Sequence, residues 1–334
     1  MVGLLDSLIV REVRLRNRIV MPPMQSGRAS FEGEVTGKLV NFYVRRSAAL
    51  GLPIVEHAYV SALGKIGPKQ LGIYSDRLIA GFEKLAEGIH SVGAPAVVQI
   101  SHAGAVANKK VIGAMPVGPC NRDKTRMLEK NELYELVEDY VLAADRAVRA
   151  GFDGVELHGA HGYLLNQFFT PLLNKRKDEF GGSLENRMRF PLLVVEKVRR
   201  CIGKGMLLYR LGADDLAPMG VQLQEAIVFA QKLEQAGVDI VDVSGGMCGS
   251  EPKQLQHISG YFIPQANTIK AAVRMPVIGV GKIREAEFAD NLVREGKVDL
   301  VAVGRALWHD NLWPQKAIQT LQEQQSNQTH NKNK

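Results

Sequence analysis

Cysteine is scarce: there are three in 334 residues, Cys120, Cys201 and Cys248, far apart and without a CxxC pair. That spacing excludes a disulfide framework and a cysteine-ligated zinc or iron–sulfur site, and no metal site of any kind is expected. It fits a reduced, cytoplasmic setting. Long hydrophobic runs are also missing. No apolar stretch reaches the roughly 18 residues of a membrane-crossing helix. The opening segment has no basic stretch ahead of an apolar core and is interrupted by Asp6. Neither a membrane span nor a secretory leader is therefore expected. Blocks of a single charge sign are lacking too. The formal net charge is +7, yet the cations are scattered, and Glu12 breaks the stripe of Arg11, Arg14, Arg16 and Arg18. This excess is read as a solvated surface plus an anionic small ligand, not as a nucleic-acid footprint.

What is present is a repeat. Hydrophobic residues make up 46% of the chain, enough for a sizeable core. Short, nearly continuous apolar runs predict strands at 18–21, 53–60, 96–101, 154–158, 206–211, 239–244, 277–280 and 299–303, the pattern of parallel strands buried on both faces. Helical periodicity lies between them, at 38–50, 77–92, 131–150, 184–202, 223–236, 264–273, 284–295 and 314–324. Gly151 and Gly237 sit where left-handed helix caps are wanted, each opening an Ala-Gly-Phe/Val-Asp phrase that leads into a strand. Strands and helices alternating in this way predict an α/β (β/α)8 TIM barrel. The rival doubly wound sheet would carry a glycine-rich fingerprint after its first strand, whereas this chain has Pro22-Pro23-Met24-Gln25 there. Residues 8–15 are expected to form a hairpin closing the barrel floor, and 103–130 a long loop after the third strand. Residues 1–321 are read as a single barrel domain, and 322–334 as a polar, disordered tail.

Barrel enzymes build their sites at strand C-termini. The seventh strand leads into Gly281-Lys282 and the eighth into Gly304-Arg305. Glycine backbone and a guanidinium fork suit a phosphate, and these strands are its usual seat. The fourth strand ends His158-Gly159-Ala160-His161-Gly162-Tyr163. Two imidazoles and a phenol can grip a carbonyl oxygen and supply a proton. A zinc pair would need a third ligand, and none is apparent nearby; packed, satisfied histidines are the bland alternative. Gln99 and Arg210 are polar residues inside apolar strands and need partners. These are either an internal salt bridge for Arg210 or the polar edge of a cofactor. The charged stretch 176–189 carries Gly181-Gly182 and Ser183 as a helix cap, and is read as structural.

Together these residues resemble the Old Yellow Enzyme family over about residues 8–312. The resemblance rests on Asn17 to Met21, Gln99 with Ser101 to Gly104, His158 to Leu164, Asn174 to Arg187, and Gly304-Arg305. It implies a non-covalent FMN. Pro23, Met24, Gln25 and Tyr59 would lie near the flavin and Gln99 at its pyrimidine end. Arg210 would stabilise the reduced ring, while Gly281, Lys282, Gly304 and Arg305 would hold the phosphate. NADH or NADPH would donate hydride and leave. An α,β-unsaturated carbonyl compound would then be held by His158 and His161 and protonated by Tyr163. Gln25, Gly27 and Ser101 depart from commoner family residues, and Ser101 is expected to widen the pocket. The readings left open are another FMN-barrel reaction, such as amine or alcohol oxidation, and a flavin-free barrel isomerase or aldolase acting on a phosphorylated substrate. Oligomeric state, including a homo-oligomer, is left open.

Overall fold

The computed structural model describes residues 2–332. Eight parallel strands close into a barrel. They are Ile19–Met21, Leu52–Tyr59, Val97–Ser101, Gly154–Gly159, Met206–Gly212, Ile240–Ser244, Val277–Val280 and Leu300–Ala302. Each pairs with the next in sequence, and the eighth returns to the first through Val301 and Ile19. Every expected strand is present, with its ends moved by one residue at most.

The two faces of these strands fill two cores. Residues such as Val55, Val98, Val155, Leu207, Val241 and Val301 point outward and pack beneath the surrounding helices. Their neighbours Leu52, Ile54, Val97, Met206, Leu208, Ile240, Ile278 and Leu300 fill the lower barrel interior. Both faces are buried, which is why the strands read as continuous apolar runs. The predicted hairpin forms from Leu8–Val10 and Val13–Leu15. Val10 and Leu15 join the interior core at the strand N-termini, so the hairpin closes the floor. Arg11, Arg16 and Arg18 are tied there to Asp239, to the Ala48 and Val92 carbonyls, and to the Asp299 carbonyl.

The expected helices are found, among them Gly37–Ser47 capped by Thr36, Lys130–Arg149 with a Glu129/Glu132 capping box, and Leu184–Ile202 capped by Ser183. Gly151 and Gly237 adopt φ of 82° and 95°, the left-handed conformation their caps require. Three short helices were not anticipated: Lys109–Ile112, Leu164–Phe169 and Arg305–His309. The last helix runs Trp313–Lys332. It therefore takes in 322–332 of the segment expected as a disordered tail; residues 333 and 334 lie outside the described residues. No helix among the described residues is long and apolar enough to cross a membrane.

Candidate active site

Above its apolar floor the barrel interior turns polar. Gln99 and Glu156 are paired in register on the third and fourth strands, and Arg210 and Asp242 on the fifth and sixth. The Gln99 Nε2 donates to Glu156 Oε1 at 2.7 Å, and Arg210 Nε lies 3.2 Å from Asp242 Oδ2. The salt bridge considered for Arg210 thus exists, but it is incomplete. Glu156 Oε2 and both Asp242 oxygens are buried without a hydrogen-bond partner. Burial, and then the nearby Asp242 carboxylate, hold the Glu156 carboxyl well above its usual range. Burial likewise raises Asp242, against the pull of Arg210. Such a polar layer is costly inside a barrel unless something polar meets it.

The next layer up gathers two imidazoles and a phenol. The fourth strand delivers His158, and the chain then turns sharply. His161 adopts φ of 56°, a left-handed conformation that costs a non-glycine residue about 1 kcal/mol or more. The turn is pinned by His161 N on the Gly245 carbonyl and by Gly162 N on Asn166 Oδ1. It brings the His161 ring centroid to 5.2 Å and the Tyr163 centroid to 4.4 Å from that of His158. His161 Nε2 is 2.7 Å from Ser244 Oγ. Burial holds His158 and His161 well below the usual imidazole value, helped by neighbouring imidazoles and the Arg210 cation. Burial pushes the Tyr163 phenol up to about 12. At neutral pH the trio is two uncharged imidazoles and a protonated phenol.

A cavity of about 310 Å³ opens over these groups, within the size range of small-molecule and cofactor sites. Its lining gathers Pro23, Met24, Gln25, Gln99, His158, His161, Tyr163, Arg210, Lys282, Gly304 and Arg305, all of them singled out from the sequence. At the pole opposite the polar layer, Arg305 pairs with Glu251, leaving its Nη2 buried and without a hydrogen-bond partner. Lys282 Nζ donates to the Gln256 carbonyl at 2.7 Å.

Two expected residues do not line the cavity. Gly281 precedes Lys282 but does not itself face the space. The structure places Tyr59 elsewhere: its ring is enclosed by Gly33 and Gly72, stacks on Tyr74 at 5.1 Å, and its hydroxyl donates to the Glu32 carbonyl at 3.0 Å. The second strand carries a register shift between Val55 and Ala58, and His57 faces the cavity. Ser101 is fully buried and also lies outside the lining.

Sequence reading missed His57, Glu156, Asp242, Ser244, Glu251 and Tyr261. Glu156, Asp242 and Ser244 were accessible to it, because they occupy the same alternate inward positions as Gln99 and Arg210. His57 was not, since a bulge leaves no local mark in the strand pattern. The charged stretch 176–189 is structural. Arg176 spans Asp178 and the Leu128 carbonyl, Asn174 Nδ2 donates to the Phe168 and Phe180 carbonyls, and Arg187 pairs with Glu225.

Similarity to known proteins runs along almost the whole chain. The family model described as "NADH:flavin oxidoreductase / NADH oxidase family" matches residues 4–324. An NADH oxidase of Thermoanaerobacter brockii is 42% identical over 91% of this chain. The chain spans about half of that relative's length, 48%. An NADPH dehydrogenase of Geobacillus sp. (strain WCH70) is 35% identical over 93% of this chain and 92% of its own length. Among solved structures, an old yellow enzyme homologue from Zymomonas mobilis superposes with a TM-score of 0.84 at 26% identity, covering 95% of this chain and 93% of that one.

Proposed function

We propose, from the premise that this chain belongs to the NADH:flavin oxidoreductase / NADH oxidase family, that it is an FMN-dependent oxidoreductase taking hydride from NADH or NADPH. Its second substrate is the activated C=C bond of an α,β-unsaturated carbonyl compound. The observation that carries this reading is the convergence of His158, His161 and Tyr163 on one cavity that Gln99, Arg210 and Arg305 also line.

The residues present fit FMN. At one end Gln99 and Arg210 offer an amide and a cation to a polar heterocycle edge. At the other, Arg305 has a buried, unpartnered Nη2, and Lys282 and the Gly304 backbone lie beside it, a donor set suited to a phosphate. Pro23, Met24 and Gln25 would flank the ring system. When bound, FMN supplies hydride acceptance and donation, which no side chain can perform.

The chain's own groups do the rest. Arg210, close to Asp242 and buried, places a fixed positive charge where negative charge would develop, and a dry site magnifies its effect. His158 and His161, being neutral, bind a carbonyl oxygen as hydrogen-bond donors, so the carbonyl is polarised without proton transfer. Ser244 holds the His161 ring in place. Tyr163 keeps its proton on Oη at neutral pH and is the group that can deliver it to the substrate carbon next to the carbonyl.

Product analysis tests the reaction type. Anaerobic turnover of 2-cyclohexenone with NADH or NADPH should give cyclohexanone in equal amount to the nicotinamide consumed. Formation of the allylic alcohol, or nicotinamide oxidation with no change in the enone, would overturn the proposal.

A further inference from the structure

His57 faces the cavity from the second strand, with its ring 5.3 Å from Tyr163 and 6.2 Å from His158, centroid to centroid. Its hydrogen bonding determines which ring nitrogen carries the proton. Gln70 Nε2 lies 2.8 Å from His57 Nδ1. The orientation of that amide is fixed twice over. Gln70 Oε1 accepts the Ile66 backbone N–H at 2.7 Å, and an N–H can meet only an oxygen. Gln70 Nε2 also lies 3.3 Å from the His57 carbonyl, which can meet only a donor. The NH₂ group therefore faces Nδ1, and Nδ1 must accept. Both groups are buried, and burial together with Arg210 pushes the His57 imidazole down to about 4. A neutral ring whose Nδ1 accepts carries its one proton on Nε2. Nε2 has no protein partner among the described residues and is not among the sealed, unpartnered atoms, unlike His158 Nδ1. It is the ring nitrogen left open to the cavity.

We propose that His57, locked by Gln70 as the Nε2–H tautomer, is a third hydrogen-bond donor to the oxygen of the acceptor substrate, alongside His158 and His161. This rests on the enone reading above and adds a substrate-binding residue to it. A carbonyl oxygen has two lone pairs and becomes a better acceptor as negative charge grows on it, so a third donor can share them. Gln70 is a positioning residue. It touches no substrate and acts only by fixing the proton on the far side of the ring.

The test uses FMN-loaded protein. In a ¹⁵N-histidine-labelled sample, the His57 signal, identified by its loss in His57→Gln, should show a protonated Nε2 and a bare Nδ1. Gln70→Leu should spread the signal toward a mixture of tautomers. The dissociation constant of 2-cyclohexenone, read from the oxidised flavin spectrum, should rise about tenfold in His57→Ala, the size of one ordinary hydrogen bond. His57→Gln, which can still offer an N–H, should recover most of it. Flavin content and FMN affinity should be unchanged in both. A protonated Nδ1, or enone binding in His57→Ala equal to the native protein's, would overturn the inference. So would a variant that loses FMN affinity but not enone affinity, because that places His57 at the cofactor. Failure of the enone reading would be visible in the native protein itself, as no spectral change on adding the enone.

Discussion

A phenol can donate a proton only while it keeps one. Tyr163 is held protonated because its ring is sunk beside His158 and His57, with little water to stabilise a phenolate. Tyr163→Phe should slow the reaction of the reduced enzyme with 2-cyclohexenone by about 10²- to 10⁴-fold, the usual worth of a general acid. Reduction of the enzyme by NAD(P)H, which takes no proton from this group, should stay close to the native rate; stopped-flow measurement of the two halves separates them. In the proposed mechanism the histidines should set the pH behaviour. In that mechanism their neutral forms are the active ones, present above their folded pKa and lost only as pH falls through it. For His158 and His161 that value is held well below 6.5, and for Tyr163 it is pushed up to about 12. The rate of the enone half-reaction should therefore be flat from pH 6 to pH 9. An inflection near 6.5 would show imidazoles that titrate as they do in water.

The elements explain how so short a stretch as 158–163 is held. Gln167, on the helix Leu164–Phe169, accepts from Ala105 N and donates to the Ala103 and Gly162 carbonyls. One side chain thus ties the long loop after the third strand to the turn carrying His161. Gly104 has φ of 61°, and a Cβ there would meet Gln167 Oε1 at 2.3 Å, so any other residue would be strained and would displace the Gln167 side chain. The hairpin acts from the opposite end. Leu15 is fully buried in the floor core, and Leu15→Ala should cost about 2–5 kcal/mol of unfolding free energy, read from denaturant titration. Flavin content per folded molecule should not change, because the hairpin touches the floor and not the cavity. At this scale the sequence was easily read. Strands such as 206–211 are apolar on both faces and bounded by turn residues, so their limits were plain. The short helices were not, because six residues or fewer leave hardly two turns of periodicity. The bulge in the second strand was hidden for a related reason: Glu56, His57 and Tyr59 all read as polar breaks in one run, and only the register decides which faces inward.

At the scale of the whole molecule, the barrel encloses an arrangement that is costly without a partner. Glu156, Arg210 and Asp242 are buried with unmet hydrogen-bonding capacity, and Arg305 Nη2 is likewise unmet at the far pole. The sequence pointed to Gln99, Arg210, Lys282 and Arg305, which the structure brings to one cavity. It did not show that carboxylates share each pole, since Glu156 and Asp242 lie across strands and Glu251 lies 54 residues from Arg305. A ligand that binds only the folded barrel must stabilise it. FMN at a hundred times its dissociation constant should add about 2.7 kcal/mol, visible as a higher melting temperature than that of flavin-stripped protein. Arg305→Ala should weaken FMN binding roughly ten- to hundredfold, and the melting shift at a fixed FMN concentration should shrink with it. An equal shift in that variant would move the phosphate to another part of the cavity.

The most direct measurement is the anaerobic flavin spectrum of the purified protein, reduced with NADH or NADPH and then mixed with 2-cyclohexenone. The expected result is a yellow protein that bleaches with the nicotinamide and recovers its colour with the enone, each in one equivalent. A protein that takes up no flavin when FMN is supplied, or that bleaches and stays bleached in the presence of the enone, would contradict it.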